Sequence, residues 1–326
     1  MKQVILGFDD SVKIGVANYS VNDTSSTGCT VFFFPNQQST CVVDVRGGSP
    51  GLFHVSDGYL DAICLSGGSL FGLQTIHGVM AGISELRSNP CMWNQIPIVK
   101  GAIIYDFKLD SFDKSFKELV FPDIALGRKA FNCVTTNSFP VGLVGAGSGA
   151  RAGKMSVIYD LTTKDDNLYA LPEPSGQGGA FGYYECKGVQ VKIGIFSVLN
   201  PVGCIFNKKQ ECVLGHRSQT IKEKRYATEE LIDMNSTERK EQTTTSNTTL
   251  TVLITNVTIS DQLKRQLAKQ LHSEMSTFIR PFNTPDDGDT FFFVSTNELS
   301  ENHFRYIDFT SLASKLLPDA ILSIIE

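Results

Sequence analysis

A threonine at an abrupt change in composition is the first place where this sequence could do chemistry. A nearly apolar-free stretch, STERKEQTTTSN, leads directly into the apolar run TTLTVLITNV, which begins at Thr248. A threonine hydroxyl is a weak nucleophile, but the α-amine of an N-terminal threonine, with a pKa of about 7.7 to 8, can accept its proton. A chain break before Thr248 would therefore create a nucleophile at the start of a core strand.

The polar segment before this threonine allows two interpretations. Residues His216 to Ser246 are dominated by charged and polar types, which bury too little apolar surface to offset their ordering entropy. We therefore expect a mobile surface loop there, although an ordinary linker between two domains has the same composition. The C-terminal part has few strands of its own, which favours a single core. Thr249 and the run Thr243 to Thr245 compete with Thr248, and the local pattern does not separate them.

Other patterns that could carry chemistry fail at a required position. Phe71 stands where a G-x-S-x-G nucleophile turn around Ser69 needs its second glycine. The segment GAGSGA at 145–150 fits a dinucleotide pattern, but no acidic residue follows a second strand at the expected distance. Phe292 occupies the glycine position of a calcium loop that would start at Asp287, and the five histidines lack zinc spacing. We expect neither a cofactor nor a metal.

The composition bounds the class of protein and its partners. The chain has 326 residues, 41% of them hydrophobic, which is enough for a large core in a globular protein. With a net charge of -5 the sequence lacks the excess of lysine and arginine that binding to nucleic acid or to an anionic membrane needs, so a small molecule is the expected partner. No secretory signal or membrane-length apolar run of about 18 residues is visible. The eight cysteines lack C-x-x-C spacing, which indicates reduced thiols and a cytoplasmic protein.

Periodicity predicts a mixed α and β fold of helices layered against sheets. A buried strand, a glycine turn and a helix are expected across 60–87, and a second helix from Ser260 to Phe278 repeats an apolar residue every four positions. A last helix is expected between Thr310 and Ile325, perturbed by Pro318. The other predicted strands are Cys29 to Phe34, Pro97 to Tyr105, Val189 to Leu199, Thr249 to Val257 and Thr290 to Ser295.

A series of sequence blocks in a fixed order resembles a known family. The blocks are VDVRGGSPG, DAICLSGGSLFGL, IIYDF, ALGRKA, GAGSGARAGK, SGQGGAF, NPVG, NTTLTVLITNV and RPFNTPDDGDTFF. They resemble the self-processing aminopeptidases and amidases that include L-aminopeptidase/D-amino-acid esterases and β-peptidyl aminopeptidases, and most closely the 6-aminohexanoate-oligomer endo-hydrolases. The resemblance implies a four-layer αββα sandwich of the N-terminal-nucleophile type, made by one domain covering residues 1–326.

The resemblance also implies a set of site residues. Asn247-Thr248 matches the family's cleavage point, which makes Thr248 the nucleophile and divides the chain into pieces 1–247 and 248–326. Asp287 and Asp289 resemble the catalytic carboxylates that would orient the new α-amine, and Lys154 would counter their charge.

Two further residues take roles from the same resemblance. Asn200 resembles the family's donor to the oxyanion of the tetrahedral intermediate, and Tyr105 resembles a tyrosine that lines the site and could donate to the same intermediate. Ser246, where a glycine is expected, and Arg151, within the glycine-rich loop, depart from the pattern. Self-cleavage and substrate preference could differ accordingly.

The implied activity is hydrolysis of linear amide oligomers or peptides through an acyl-enzyme on Thr248. An exo-acting aminopeptidase or esterase, or an acyltransferase that passes the acyl group to an amine, would use the same fold. An uncleaved scaffold or binding protein is the alternative of another class. The resemblance also implies a homo-oligomer, such as a tetramer of cleaved heterodimers.

Overall fold

Two six-stranded sheets form the middle of the molecule. The computed structural model describes residues 2–21, 24–88, 92–107, 115–155, 170–234 and 247–325. Sheet I has, in spatial order, the strands Leu52–Phe53, Val99–Ile103, Ala62–Ser66, Thr24–Phe33, Lys13–Val21 and Thr135–Thr136. Sheet II has, in spatial order, Gly176–Cys186, Val189–Asn200, Thr248–Val257, Thr290–Leu299, Thr40–Val45 and Gly58–Tyr59.

Three small sheets lie outside this pair. The first joins Gln3–Ile5 to Ser138–Pro140. The second contains, in spatial order, the strands Arg151–Ala152, Ala170–Pro174, His216–Ser218 and Arg225–Tyr226. The third contains, in spatial order, the strands Cys212–Leu214, Cys204–Phe206 and Ile279–Arg280. The second of the three places Arg151–Ala152 at its edge, next to the chain that leads to Lys154.

Alternating side chains give each large sheet two apolar faces. Phe32 of sheet I and Phe196 and Phe292 of sheet II point inward and share one buried cluster between the sheets. Val31 and Phe33, the neighbours of Phe32, belong to a second cluster on the outer face of sheet I. This follows from the period of two along a strand, which sends successive side chains to opposite faces.

Helices cover both outer faces. Gln74–Leu86 and Ile124–Asn132 pack on sheet I, while Asp261–Glu274 and Tyr306–Leu322 pack on sheet II. The Asp123 and Ser260 side chains cap two of these helices by accepting bonds from Leu126 N and Leu263 N. The order of layers is helix, sheet, sheet, helix, and the predicted αββα sandwich is confirmed.

The strand that begins at Thr248 lies inside sheet II rather than in a separate unit. It pairs antiparallel with Val189–Asn200, with Asn200 opposite Thr248. On its other side it pairs parallel with Thr290–Leu299. All ten of its residues are buried. The residues after position 247 therefore complete the same core as those before it.

The segment from His216 onward differs from the expected mobile loop. It contains the strands His216–Ser218 and Arg225–Tyr226 and the short helix Thr228–Met234. The prediction is wrong here because the charged residues are used in pairing: the buried carboxylate of Glu173 binds Arg217 at 3.0 Å and Arg225 at 2.6 Å. Residues 235–246, including Ser246 and the run Thr243 to Thr245, lie outside the described residues.

The other predicted elements are present with shifted ends. The helix expected from Thr310 begins earlier and runs from Tyr306 to Leu322 with Pro318 inside it. Among the described residues, no helix is long and apolar enough to cross a membrane.

The apolar cluster between the two large sheets makes a testable contribution to the stability of the fold. Phe292 is fully buried between the sheets, so Phe292→Ala should leave a cavity costing about 3–5 kcal/mol and lower the melting temperature by on the order of 10 °C. Thermal unfolding followed by circular dichroism measures the change. Trp93, which is 86% exposed, provides the control, and Trp93→Ala should leave the melting temperature nearly unchanged. Equal effects of the two substitutions would contradict the packing described.

Candidate active site

The hydroxyl of Thr248 lies against the peptide bond that precedes it. Thr248 is buried at the first position of its strand, and its Oγ1 donates to the carbonyl oxygen of Asn247. The backbone amide of Gly288 donates to the same carbonyl oxygen at 2.7 Å. The Gly288 amide and the Thr248 hydroxyl therefore both donate to the carbonyl of the Asn247–Thr248 peptide, and this hydroxyl is a group that could attack the carbonyl carbon.

Gly288 occupies a place that only glycine fills without displacement. A Cβ there would stand 2.7 Å from Thr248 Oγ1, closer than van der Waals contact allows. The flanking chain is held in place by a parallel bridge between Asn247 and Asp287. In the D-G-D block the sequence predicts roles for the two aspartates only, although the glycine between them is the residue that permits this close approach.

Asp287 and Asp289 are buried on either side of this glycine. Asp289 accepts from the backbone amides of Thr249 at 2.5 Å and Asn283 at 2.9 Å. Asp287 Oδ2 accepts from Thr284 N at 2.8 Å, whereas Oδ1 has no hydrogen-bond partner among the described residues. Burial raises the pKa of both carboxyl groups, and the charge of Asp287 raises the pKa of Asp289 further.

A single main-chain oxygen connects Lys154, Asn200 and Tyr105. The carbonyl oxygen of Tyr105 accepts from Lys154 Nζ and from Asn200 Nδ2, each at 3.0 Å. Asn200 Oδ1 accepts from the amide of Arg151 at 3.1 Å. The half-buried phenol of Tyr105 packs against Phe107, so in this structure Tyr105 contacts the other site residues through its backbone.

Lys154 is a buried amine with an altered affinity for protons. Burial lowers its pKa to about 7, and the charge of Arg151 lowers it too, whereas Asp106 and Asp287 act in the opposite direction. A large fraction of the amine is then neutral near neutral pH. Lys154 can therefore accept a proton as well as supply positive charge.

Asp106 is a buried carboxylate of this site that sequence reasoning missed. It accepts from Thr27 Oγ1 and from the amide of Gly68, both at 2.7 Å, and burial raises its pKa. A Cβ at Gly67 would overlap the carboxylate, and Gly68 has a positive φ of 78°, so both glycines of the SGGS turn are required by the backbone there. The IIYDF block contains Asp106, but nothing in its spacing signals that the side chain faces Lys154.

The glycine-rich loop at 145–150 uses its amides within the protein. Asn18 Oδ1 accepts from Gly145 N at 2.7 Å, and Thr30 Oγ1 accepts from Ala146 N at 3.0 Å. The loop therefore serves to position the chain before Lys154. In the part of the chain that the structure describes, no three His, Cys, Asp or Glu side chains converge to hold a metal ion.

Curated relatives match the sequence over most of its length. The 6-aminohexanoate-oligomer endohydrolase of Paenarthrobacter ureafaciens is 36% identical over 298 residues, which cover 90% of this chain and 76% of the relative. The enzyme of the same name from Kocuria sp. (strain KY2) is 36% identical over 297 residues, with the same two coverages. This chain belongs to their family. It is an amide-bond hydrolase, and the resemblance seen in the sequence is confirmed. No protein-family model matches the sequence.

Solved structures show the same fold at low sequence identity. The L-aminopeptidase D-Ala-esterase/amidase of Ochrobactrum anthropi, described as a variant of the Ntn hydrolase fold, superposes with a TM-score of 0.64 at 13% identity, covering 99% of this chain and 87% of that one. A β-aminopeptidase from Burkholderia sp. gives a TM-score of 0.65 at 14% identity, covering 99% and 88%. The architecture is therefore that of Ntn hydrolases.

The charge of Asp106 should be measurable at Lys154. Asp106→Asn removes an anion that favours the ammonium form, so the pKa of Lys154 should fall below about 7. The amide keeps an oxygen for Gly68 N, and a nitrogen-detected NMR titration of Lys154 Nζ reports the change. Asp10→Asn, at a side chain that is 90% exposed, is the control and should not move the titration. An unchanged or raised pKa in Asp106→Asn would disprove this coupling.

Proposed function

We propose that this chain cuts itself between Asn247 and Thr248 and then hydrolyses amides with Thr248 as an N-terminal nucleophile. The observation that carries the proposal is the Asn247 carbonyl oxygen, which accepts from both Thr248 Oγ1 and Gly288 N. This favours Thr248 over Thr249, because the donors converge on the carbonyl before Thr248. The amide of Thr249 instead binds Asp289.

Self-cleavage begins with attack of Thr248 Oγ1 on the carbonyl carbon of Asn247. Neutral Lys154 accepts the hydroxyl proton as the C–O bond forms and gives a tetrahedral intermediate. The C–N bond then breaks, and this proton passes to the released amine of Thr248. The Gly288 amide stabilises the negative oxygen of the tetrahedral intermediate. Water then opens the ester, which frees the carboxylate of Asn247 and restores the hydroxyl.

Turnover of a substrate repeats the same exchange. The α-amine of Thr248 accepts the hydroxyl proton as Oγ1 attacks the substrate carbonyl, and the leaving amine takes that proton. Asp287 and Asp289 balance the charge of the new ammonium, and Lys154 limits the repulsion between them. Asn200, whose Nδ2 has one hydrogen beyond its bond to Tyr105 O, can donate to the oxyanion. Water hydrolyses the acyl-enzyme.

The proposed substrates are linear amide oligomers or peptides. The support is the name of the relatives, which act on 6-aminohexanoate oligomers. We further propose a cytoplasmic enzyme, since all seven described cysteines are free. A homo-oligomer is also proposed, supported by the partly exposed aromatic cluster of Phe71, Phe116 and Phe121 on the surface.

Intact mass spectrometry tests the cleavage point. The wild-type chain of 35.7 kDa should yield two fragments whose masses place the break between Asn247 and Thr248. Thr248→Ala removes the attacking hydroxyl and should remain a single inactive chain. Thr249→Ala is the matched control one residue away and should still be cut at the same bond. A cut Thr248→Ala chain with normal amide hydrolysis would end the proposal.

The pH dependence of self-cleavage tests the role of Lys154. Because the folded protein lowers the pKa of Lys154 to about 7, the neutral amine is depleted below that pH and predominates above it. The cleavage rate of freshly synthesised precursor, followed on denaturing gels, should therefore rise through about pH 7 and then level off. Lys154→Arg keeps a permanent charge and should slow cleavage by about 10²–10⁴-fold.

Lys208→Arg is the control for this series, because Lys208 forms a surface ion pair with Asp319 at 2.5 Å. It should reproduce the wild-type profile. A flat profile across neutrality, or normal cleavage by Lys154→Arg, would exclude Lys154 as the proton acceptor.

A further inference from the structure

Arg151 is a partly buried cation without an acidic partner among the described residues. To the parts of the chain that the structure describes, its guanidinium makes one hydrogen bond, from Nη1 to the carbonyl oxygen of Pro172 at 3.3 Å. Burial lowers its pKa, and no carboxylate of the described residues opposes that effect. Charged groups removed from water are normally paired, because their desolvation is otherwise uncompensated.

Neighbouring arginines show the usual arrangement. Arg217 and Arg225, on adjacent strands of the same small sheet, both bind the carboxylate of Glu173. Glu173 lies on the strand Ala170–Pro174, which also pairs with Arg151–Ala152. A carboxylate therefore exists close by, but it is already bound to two other guanidinium groups.

The position of Arg151 connects it to the reacting groups. Its backbone amide donates to Asn200 Oδ1, and Asn200 is the strand partner of Thr248. Its charge also acts on Lys154, three residues further along the chain. The positive charge of Arg151 thus acts on the site, and the residue is partly exposed.

We propose that Arg151 binds a carboxylate of the substrate, so that the enzyme selects amides that carry a free carboxylate group. A guanidinium presents several donors in one plane, which suits the two oxygens of a carboxylate, and the guanidinium of Arg151 makes only one hydrogen bond to the described residues. This inference rests on the proposed function, because it names the substrate class of that site.

The test compares two substrates that differ only in charge. One is a linear dimer of an ω-amino acid with a free carboxylate, and the other is the same dimer as a primary carboxamide, with cleavage of the internal amide followed by mass spectrometry. Wild-type enzyme should prefer the carboxylate form in kcat/KM. Arg151→Gln should reduce this preference by about ten- to a hundred-fold, the factor expected for lost charge-assisted hydrogen bonds.

Two further variants separate charge from geometry. Arg151→Lys keeps the charge but not the planar donors, so its preference should lie between wild type and Arg151→Gln. Arg217→Gln removes a nearby cation that is already paired with Glu173, and it should keep the wild-type preference. An unchanged ratio in Arg151→Gln, even with a shifted pH profile, would overturn the proposal and leave Arg151 acting only on Lys154.

Binding of pentanoate keeps this inference separate from the catalytic one. In an NMR titration, Arg151→Gln should bind pentanoate at least about ten times more weakly than wild type or Arg217→Gln. That result without any hydrolysis by wild type would retain the carboxylate site and reject the proposed function. Hydrolysis by wild type together with equal pentanoate affinity in all three proteins would retain the proposed function and reject the carboxylate site.

Discussion

The structure depends on how the carbonyl of Asn247 is held between Thr248 Oγ1 and Gly288 N. Neither donor could keep its position on a mobile loop. Thr248 begins a fully buried strand that is paired on both sides. Gly288 lies two residues before the neighbouring strand, Thr290–Leu299. A shift of one residue in the register of the strand Thr248–Val257 would turn the Thr248 side chain to the opposite face of the sheet. The apolar core therefore fixes the geometry of the site.

Buried charges set the chemistry that this geometry can perform. The site contains three buried carboxyl groups, those of Asp106, Asp287 and Asp289. Lys154 lowers the pKa of two of them, and Arg151 in turn lowers the pKa of Lys154. Burial raises the pKa of the carboxyl groups and lowers that of the lysine, so the difference between their pKa values becomes smaller. The free-energy difference for proton transfer between a carboxylate and the lysine is then smaller here than between the same groups in water.

The sequence predicts the layers and the central strand but not every contact of the site. The start of the central strand at Thr248 is predicted because the composition changes there, and apolar periodicity predicts the helix Asp261–Glu274. Asp106 is not found, because its partner Thr27 lies 79 positions away and only the folded sheet brings them together. The segment from His216 to Met234 is mistaken for a loop because its arginines fold onto Glu173, a pairing that composition does not reveal.

The two proposed reactions differ in the base they can use, and this assigns separate tasks to Lys154 and the α-amine. Before cleavage, the nitrogen of Thr248 belongs to a peptide bond and has no basic lone pair, so another group must accept the hydroxyl proton. Lys154 suits this step because burial leaves part of it neutral. After cleavage the new amine lies beside the hydroxyl and takes over as base. Lys154 is then free to carry charge opposite Asp287, which it already stabilises as an anion.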